Sequence, residues 1–242
     1  MVFKATGLSN CIMSVTVFGT CRLYHIKNNN NLNNLINYPH STKEVLQQIK
    51  FLLGEKHFPS PFDVLCFRTG IVERKNIIYD NKFNELFKES KVCVIEICSE
   101  KKYVYDDFYL HHLCVDKRFS SYNNITPKEI LDNVKCIKQT YDEIENDMLE
   151  IKRLLENKKI IVVTHYNSKM NGEYIESRNN LINCLSEICE KNNITIIKPS
   201  DVLKDYKQEE VMSEDLGHLT NVGLSKLNEY VNNYIDELGC EL

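Results

Sequence analysis

Five short apolar runs interrupt an otherwise mixed pattern of hydrophobic and polar positions along the chain. None of these runs alternates cleanly between apolar and polar residues. Continuous apolar runs of roughly four to eight residues are typical of strands that are covered on both faces, as in a parallel sheet. The predicted strands are Ser14–Phe18, Phe62–Phe67, Val92–Cys98, Lys159–Thr164 and Ile194–Ile197.

Helical periodicity separates the predicted strands. The segment KEVLQQIKFLL follows Ser41 and Thr42, which are favoured helix caps, and precedes Gly54, which favours helix termination. From Pro127 to Leu155, apolar residues recur every three or four positions, which predicts one long amphipathic helix with proline at its first turn. The segments YIESRNNLINCLSEICEKNN and LTNVGLSKLNEYVNNYIDEL predict two further helices.

This alternation predicts an α/β fold with three layers, in which helices cover both faces of a five-stranded parallel sheet, as in flavodoxin-like proteins. We expect residues 1–242 to form a single domain. Ligands of such folds bind beyond the carboxyl ends of the strands. Polar, aromatic insertions at about 73–90 and 100–124 follow the second and third predicted strands, where loops that shape a substrate site belong.

Composition narrows the class of protein. Hydrophobic residues make up 43% of the chain and charged residues 26%, as in globular domains. The net charge of -4 offers no basic surface for nucleic acid, so we expect no nucleic-acid partner. No run approaches about 18 consecutive apolar residues, and the N-terminus lacks a signal-peptide pattern, so we expect no association with a membrane.

Ten cysteines are scattered along the chain without a Cys-x-x-Cys pair. Several lie within apolar segments such as DVLCF and VCVIEIC, where a free thiol packs as a small hydrophobic side chain. This usage predicts reduced cysteines and a cytoplasmic location rather than a disulfide-stabilised secreted protein.

The segment SVTVFGTCRLYHI carries the first candidate for catalysis. Cys21 lies just beyond the carboxyl end of the first predicted strand, and Gly19 permits a tight or left-handed turn before it. The backbone N–H groups of Cys21 and Arg22 would then point towards a developing oxyanion. The alternative is a cysteine buried at a strand end, which is the commoner situation for a cysteine taken alone.

The segment EDLGHLTNVG, before the last predicted helix, carries the second candidate. Asp215 and His218 are three positions apart, so the carboxylate can hold Nδ1–H of the imidazole and leave Nε2 to act on a thiol. The pair follows the fifth predicted strand and would share a sheet edge with Cys21. His165, after the fourth strand, is a rival base, and we favour His218 because of its carboxylate neighbour.

These two motifs resemble those of the SGNH (GDSL-like) hydrolase superfamily, in which Gly-Asp-Ser follows the first strand and Asp-x-x-His precedes the last helix. Gly-Thr-Cys, ending at Cys21, matches the first motif with cysteine in place of serine, and Asp-Leu-Gly-His, ending at His218, matches the last. A cysteine in that place is similar to the Gly-Ser-Cys-Phe-Ala family and to a Gly-Asn-Cys family of polysaccharide-biosynthesis acetyltransferases that bind coenzyme A.

The resemblance implies a catalytic triad of Cys21, His218 and Asp215. It implies an enzyme that transfers an acetyl group from acetyl-CoA to an amino or hydroxyl group of a sugar or nucleotide sugar in surface-glycan biosynthesis. Two alternatives stay open: an esterase or thioesterase that uses the same triad with water, and a non-catalytic binding domain on the same fold. The expected partners are small molecules, with acetyl-CoA as co-substrate.

The remaining motifs of the superfamily match less well. The Gly-x-Asn-Asp block expected after the third strand is absent from IEICSEK, where Ser99 is a candidate donor. Gly70 in CFRTG stands in the place of the second-block glycine. We therefore expect the oxyanion to be stabilised by the backbone around Gly19 and Arg22, with Ser99 and Gly70 as further candidates.

Several other residues are candidates for substrate or cofactor binding. Arginines near strand ends can hold the phosphates of a nucleotide or of coenzyme A, and aromatic rings can stack on a sugar or a base. The alternatives are ordinary surface arginines and a small hydrophobic cluster beneath a loop. The candidates are Arg22, Arg68, Arg178, Tyr109, His112 and His165.

The segment YLHHLCVDK raises the question of a metal, because it contains His111, His112 and Cys114. Two adjacent ligands on one short segment do not form the spaced ligand set of a usual zinc site. We therefore expect no metal.

The Asn-rich run NNNNLNN predicts a loop, and this style of sequence resembles proteins of AT-rich giant viruses that acetylate amino sugars of their fibrils. That resemblance implies a nucleotide-linked 4-amino-6-deoxy sugar as acceptor and the host cytoplasm as location. The end YIDELGCEL comes soon after a helix, which suits a domain of a larger glycan-synthesis polypeptide.

Overall fold

The computed structural model describes residues 14–27, 32–36 and 38–241. The N-terminal segment without a signal-peptide pattern and the first part of the Asn-rich run lie outside the described residues. The strands are β1 (Val15–Phe18), β2 (Val92–Ile97), β3 (Lys101–Tyr105), β4 (Phe108–Leu110), β5 (Lys135–Lys138), β6 (Lys159–Thr164), β7 (Lys169–Met170), β8 (Glu173–Tyr174) and β9 (Thr195–Ile197).

Helices fill most of the segments between the strands. The α-helices are α1 (Asn33–Ile36), α2 (Thr42–Leu52), α3 (Phe62–Leu65), α4 (Arg68–Glu73), α5 (Asn81–Glu89), α6 (Ser120–Asn123), α7 (Lys128–Asn133), α8 (Tyr141–Leu154), α9 (Glu176–Lys191), α10 (Pro199–Val202), α11 (Gln208–Val211) and α12 (Asn221–Glu241). Short 3-10 turns occur at Cys21–Leu23, His112–Cys114 and Lys117–Phe119.

The central sheet contains β1, β2, β6 and β9, in that order and all parallel. In register, Val17 lies beside Val94 and Val94 beside Ile161. Because the strands run in one direction, their carboxyl ends meet at one edge of the sheet. The mixed α/β fold with a parallel sheet is therefore confirmed, and four of the predicted strands are found close to their predicted bounds.

The predicted strand at Phe62–Phe67 is wrong, so the described sheet has four strands rather than five. This segment forms α3, which begins behind Pro61, and then leads into α4. Its apolar side chains at Phe62, Leu65 and Cys66 also fit a helical spacing. A short apolar run cannot distinguish a buried strand from a buried helical turn, because both bury every position.

The predicted long helix from Pro127 is also wrong. The chain forms α7, then β5, which pairs antiparallel with β3, and only then α8. A capping box starts α8: the Thr140 side chain accepts a hydrogen bond from Glu143 N–H, and the Glu143 side chain accepts one from Thr140 N–H. A Thr-x-x-Glu pattern inside an apparently continuous helix marks a new helix start.

Two hydrophobic clusters lie against opposite faces of the central sheet. Alternate side chains such as Phe18, Ile95 and Val162 belong to one cluster, together with residues of α2, α8 and α9. Their neighbours, such as Val17 and Val94, belong to the other cluster, together with residues of α12. The strands are apolar on both faces because both faces are covered, as the continuous apolar runs predict.

Both predicted insertions contain secondary structure. Helix α5 occupies half of 73–90, before β2, and β3 and β4 lie within 100–124 and form a small antiparallel sheet with β5. As predicted, Ser41 caps α2 and Gly54 follows it with φ of 77°. Within the described residues, no helix has both the length and the apolar character needed to cross a bilayer.

Candidate active site

Cys21 begins a 3-10 turn directly after β1 and is half-buried. Thr20 precedes it in an extended conformation, with φ of -95° and ψ of -164°. The N–H groups of Cys21 and Arg22 are the first two of this turn. The first N–H groups of a helical turn have no acceptor within the turn, so these two have no partner inside it. Cys21 is therefore the first residue of a turn whose leading N–H groups lack acceptors within the turn.

Gly19 serves close packing rather than a left-handed backbone. Its φ lies outside the left-handed region, so of the two predicted possibilities, a tight or a left-handed turn, the left-handed one is not found. A Cβ added at Gly19 would lie 2.8 Å from Leu23 Cδ1 and 3.2 Å from Val17 Cγ1. Any larger residue would therefore push the turn away from the end of β1.

A buried carboxylate lies beneath this turn. Glu96 on β2 is 0% exposed and accepts hydrogen bonds on Oε2 from Thr20 N–H and Thr20 Oγ–H, both at 2.7 Å. Its Oε1 pairs with Arg22 Nε. Glu96 was not among the predicted site residues. It is the one charged residue in the otherwise apolar run VCVIEIC, and because a buried charge requires a partner, it could have been recognised there.

Asp215 and His218 form the second half of the site. Asp215 Oδ2 lies 2.6 Å from His218 Nδ1, and Asp215 Oδ1 accepts hydrogen bonds from Gly217 N–H and His218 N–H at 2.8 and 3.0 Å. The hydrogen bond from His218, followed by the two backbone bonds, lowers the pKa of Asp215 to about 2. The carboxylate therefore stays ionised and holds Nδ1–H, which leaves Nε2 of the imidazole available.

Two arginines hold the loop before His218, and one of them, Arg22, connects it to the turn at Cys21. Arg22 Nη1 donates to the carbonyl of Gly217 at 2.9 Å, and Arg178 Nη1 donates to the carbonyl of Leu216 at 2.7 Å. Arg178 Nη1 also donates to Ser168 Oγ at 2.7 Å. The residues next to Cys21 and His218 are thus in direct contact, which brings segments from opposite ends of the chain together. Both guanidinium groups hold the loop before His218, a role that the sequence did not indicate.

His165 lies beneath the turn and is 7% exposed. Arg22 Nη1 must donate to His165 Nε2, at 3.1 Å, so the proton of the imidazole is on Nδ1, which donates to the carbonyl of Tyr166 at 3.0 Å. Burial, followed by the charges of Arg22 and Arg178, lowers the pKa of His165 to about 2. With both nitrogens engaged, His165 is poorly suited to act as a base.

A cavity of about 310 Å³ lies beyond the carboxyl end of β2. Ser99, His112 and Arg178, three of the predicted site residues, line it together with Cys98. Ser99 N–H donates to the carbonyl of His40 at 2.9 Å, and Ser99 Oγ accepts from Lys101 N–H at 3.0 Å, so the hydroxyl proton is the donor that Ser99 has left for a ligand. Burial raises the pKa of the Cys98 thiol to about 12, which keeps this second thiol near Arg22 protonated.

The other predicted residues have different surroundings. Arg68 stacks on Tyr38, with Cζ 4.1 Å from the centroid of the ring. Burial, followed by the charge of Cys21, raises the pKa of Tyr38. The stacked pair therefore lies near Cys21. Tyr109 on β4 packs towards α2, with its ring 5.7 Å from Lys43 Nζ. Gly70 lies inside α4 rather than after a strand.

Gly70 allows two short helices to approach closely. A Cβ added there would lie 2.7 Å from the carbonyl oxygen of Val64 in α3. Its position in a helix removes the sheet-edge setting that the sequence predicted for an oxyanion donor.

A larger cavity, of about 590 Å³, lies at the opposite edge of the sheet, where Lys159 and Thr195 begin β6 and β9.

Comparisons with known proteins complete the description of the site. The sequence model of a family described as the TviD N-terminal domain matches residues 13–129 and 121–227. The Vi polysaccharide biosynthesis protein TviD of Salmonella typhi is 22% identical over an aligned length of 267 residues, which covers 91% of this chain and 31% of that protein. The chain therefore spans about a third of the length of this relative. One solved structure aligns over 93% of this chain and 98% of its own chain, with a TM-score of 0.41 and 8% sequence identity. This similarity is too low to establish the fold or the function of the chain.

Proposed function

Because this chain belongs to the TviD N-terminal domain family, we propose that it takes part in glycan biosynthesis by transferring an acetyl group from acetyl-CoA to a sugar or nucleotide sugar. The name of the Salmonella relative supports the glycan part of this proposal. The acetyl donor follows from the cysteine motif, which resembles the coenzyme A-binding branch of the SGNH superfamily.

The hydrogen bond between Arg22 and the carbonyl of Gly217 carries the proposal. It holds the residue after Cys21 against the residue before His218, which supports the proposal that the thiol and the imidazole act together. In the proposed first half-reaction, His218 Nε2 takes the thiol proton and the sulfur attacks the thioester carbonyl. Coenzyme A leaves as its thiol, taking the proton from His218, and the acetyl group remains on Cys21.

In the second half-reaction, His218 accepts a proton from the amino or hydroxyl group of the sugar while that group attacks the acetyl carbonyl. The thiolate of Cys21 leaves and is protonated again by His218. Each tetrahedral intermediate carries a negative oxygen, which the N–H groups of Cys21 and Arg22 would stabilise. Ser99 and Arg178, in the adjoining cavity, are the proposed contacts for the acceptor or for coenzyme A.

Single-turnover labelling tests this proposal. The chain is mixed with acetyl-CoA, quenched in acid and analysed by intact mass and peptide mapping. We expect an acetyl group on Cys21, no label in Cys21→Ala, and labelling slowed by about 100- to 10,000-fold in His218→Gln, as for loss of a general base.

Cys98→Ala is the matched control, because Cys98 is the second half-buried thiol near Arg22. It should label at the rate of the natural chain. Label on Cys98, or none on Cys21, contradicts the covalent mechanism.

Thermal stability tests coenzyme A binding separately. Coenzyme A at a concentration of about 100 times its dissociation constant should add about 2.7 kcal/mol to the free energy of unfolding. No thermal shift would favour a hydrolase or a binding domain.

A further inference from the structure

Three histidines meet beside the 310 Å³ cavity. His40 precedes α2, whereas His111 and His112 follow β4. One ring nitrogen of each lies within 4.8 Å of a ring nitrogen of the other two. The His40 ring centroid lies 5.2 Å from that of His111 and 4.4 Å from that of His112. The sequence shows only the adjacent pair, and the fold supplies the third imidazole.

His40 brings an unexplained polar atom to this cluster. Its Nδ1 is buried and has no hydrogen-bond partner among the described residues. A buried nitrogen without a partner costs roughly 1–3 kcal/mol and is rare in folded proteins, so it requires an explanation. A bound ion would provide the missing partner.

His111 is already oriented as a metal ligand would be. Leu113 N–H donates to His111 Nδ1 in a long contact of 3.3 Å, which places the ring proton on Nε2, 3.1 Å from the carbonyl of Tyr38. Metal-binding histidines typically donate their second ring N–H to a carbonyl in this way. A metal on Nδ1 would displace only the long contact from Leu113.

We propose that His40, His111 and His112 bind a divalent transition-metal ion such as Zn²⁺, with a further coordination position open to the cavity that His40 and His112 line. Three imidazoles favour Zn²⁺, Co²⁺, Ni²⁺ or Cu²⁺ over Mg²⁺ or Ca²⁺, which prefer oxygen ligands. A zinc ion with three protein ligands retains a position for water or a substrate atom. The metal would face the same cavity that is proposed for the acceptor or coenzyme A, but it takes no part in the steps proposed at Cys21.

The surrounding charges are mixed. Arg118 is paired with Asp116, with Nη2 and Oδ2 2.6 Å apart, and Arg68 stacks on Tyr38. Glu44 accepts a hydrogen bond from His40 N–H at 2.7 Å. Because the arginines weaken the attraction for a cation, the bound metal should be held mainly by the imidazole lone pairs.

Cobalt binding tests the site directly. The 242-residue chain, without an added histidine tag, is kept reduced, stripped of metal with a chelator and titrated with Co²⁺. We expect one equivalent to bind with the visible absorption of low-coordinate Co²⁺, and Zn²⁺ to displace it. His112→Gln and His40→Gln should each weaken binding by at least about 10-fold. His57→Gln, an exposed histidine outside the cluster, should bind as the natural chain does.

Three results would overturn the site: no stoichiometric Co²⁺ binding by the natural chain, equal binding by His112→Gln and His57→Gln, or a sulfur-to-cobalt charge-transfer band, which would indicate cysteine ligands. If His40→Gln does not fold, judged by circular dichroism, His112→Gln decides the question because His112 is only partly buried. The outcome is separate from acetyl labelling of Cys21, so either proposal can fail alone.

Discussion

Two side-chain pairs flank the hydrogen bond between Arg22 and Gly217, and they differ sharply in exposure. In the Arg22–Glu96 pair, 6% and 0% of the side-chain surface is exposed, whereas in the His218–Asp215 pair the values are 63% and 54%. Charges removed from water are costly unless they are paired and hydrogen-bonded, so the first pair tolerates few arrangements. The second pair remains accessible to a substrate. The buried pair therefore holds the turn at Cys21 in place, and the exposed pair is accessible for the proton transfer that we propose.

The largest effect on stability should come from Glu96→Gln. This substitution keeps the shape of the side chain but leaves the Arg22 guanidinium buried without its counter-charge. Removing one partner of a buried ion pair costs about 3–5 kcal/mol, and the free energy of unfolding in urea should fall by that amount. A loss below about 1 kcal/mol would show that the buried pair does not position the turn.

A smaller effect is expected from Arg178→Met. The half-buried guanidinium holds the carbonyl of Leu216 and the hydroxyl of Ser168, and unpaired buried acceptors cost about 1–3 kcal/mol. Because the loop before His218 would shift, acetyl labelling of Cys21 should slow by about 100-fold.

Arg153→Met is the matched control for Arg178→Met, since Arg153 is 65% exposed and pairs with Glu150 on the surface. Its stability should stay within about 0.5 kcal/mol of the natural chain. Equal effects of the two substitutions would contradict a positioning role for Arg178.

The smallest effect on stability should come from Asp215→Asn. Exposed pairs contribute at most about 1 kcal/mol, so unfolding at pH 7 should change little. The pKa of Asp215 is lowered to about 2 from 3.8, so its contribution is present above about pH 4 and is lost as the pH falls towards 2. Urea titrations between pH 4 and pH 2 should show a shallower loss for the variant. Destabilisation as large as that of Glu96→Gln would remove the distinction between the two pairs.

Helices with clear caps and strands with long apolar runs could be predicted from the sequence. Ser41 and Gly54 bound α2 as expected, and the run at Lys159–Thr164 is a strand over its full length. The run at Phe62–Phe67 was ambiguous because a short apolar run fits both a buried strand and a helical turn. The break before Tyr141 escaped notice because the apolar spacing continues through β5, while the Thr140 capping box carries the true signal.

The sequence alone determined the two motifs that end at Cys21 and His218, the short-range hydrogen bonds of Asp215, and the parallel α/β character of the fold. These features depend on spacing along the chain, which the sequence shows directly. Only the tertiary structure decided which distant groups meet: Glu96 beneath the turn at Cys21, Arg22 and Arg178 on the carbonyls before His218, and His40 beside the two later histidines. The physical reason is that burial and pairing of charge depend on side chains brought together from distant segments, and no local pattern encodes those contacts.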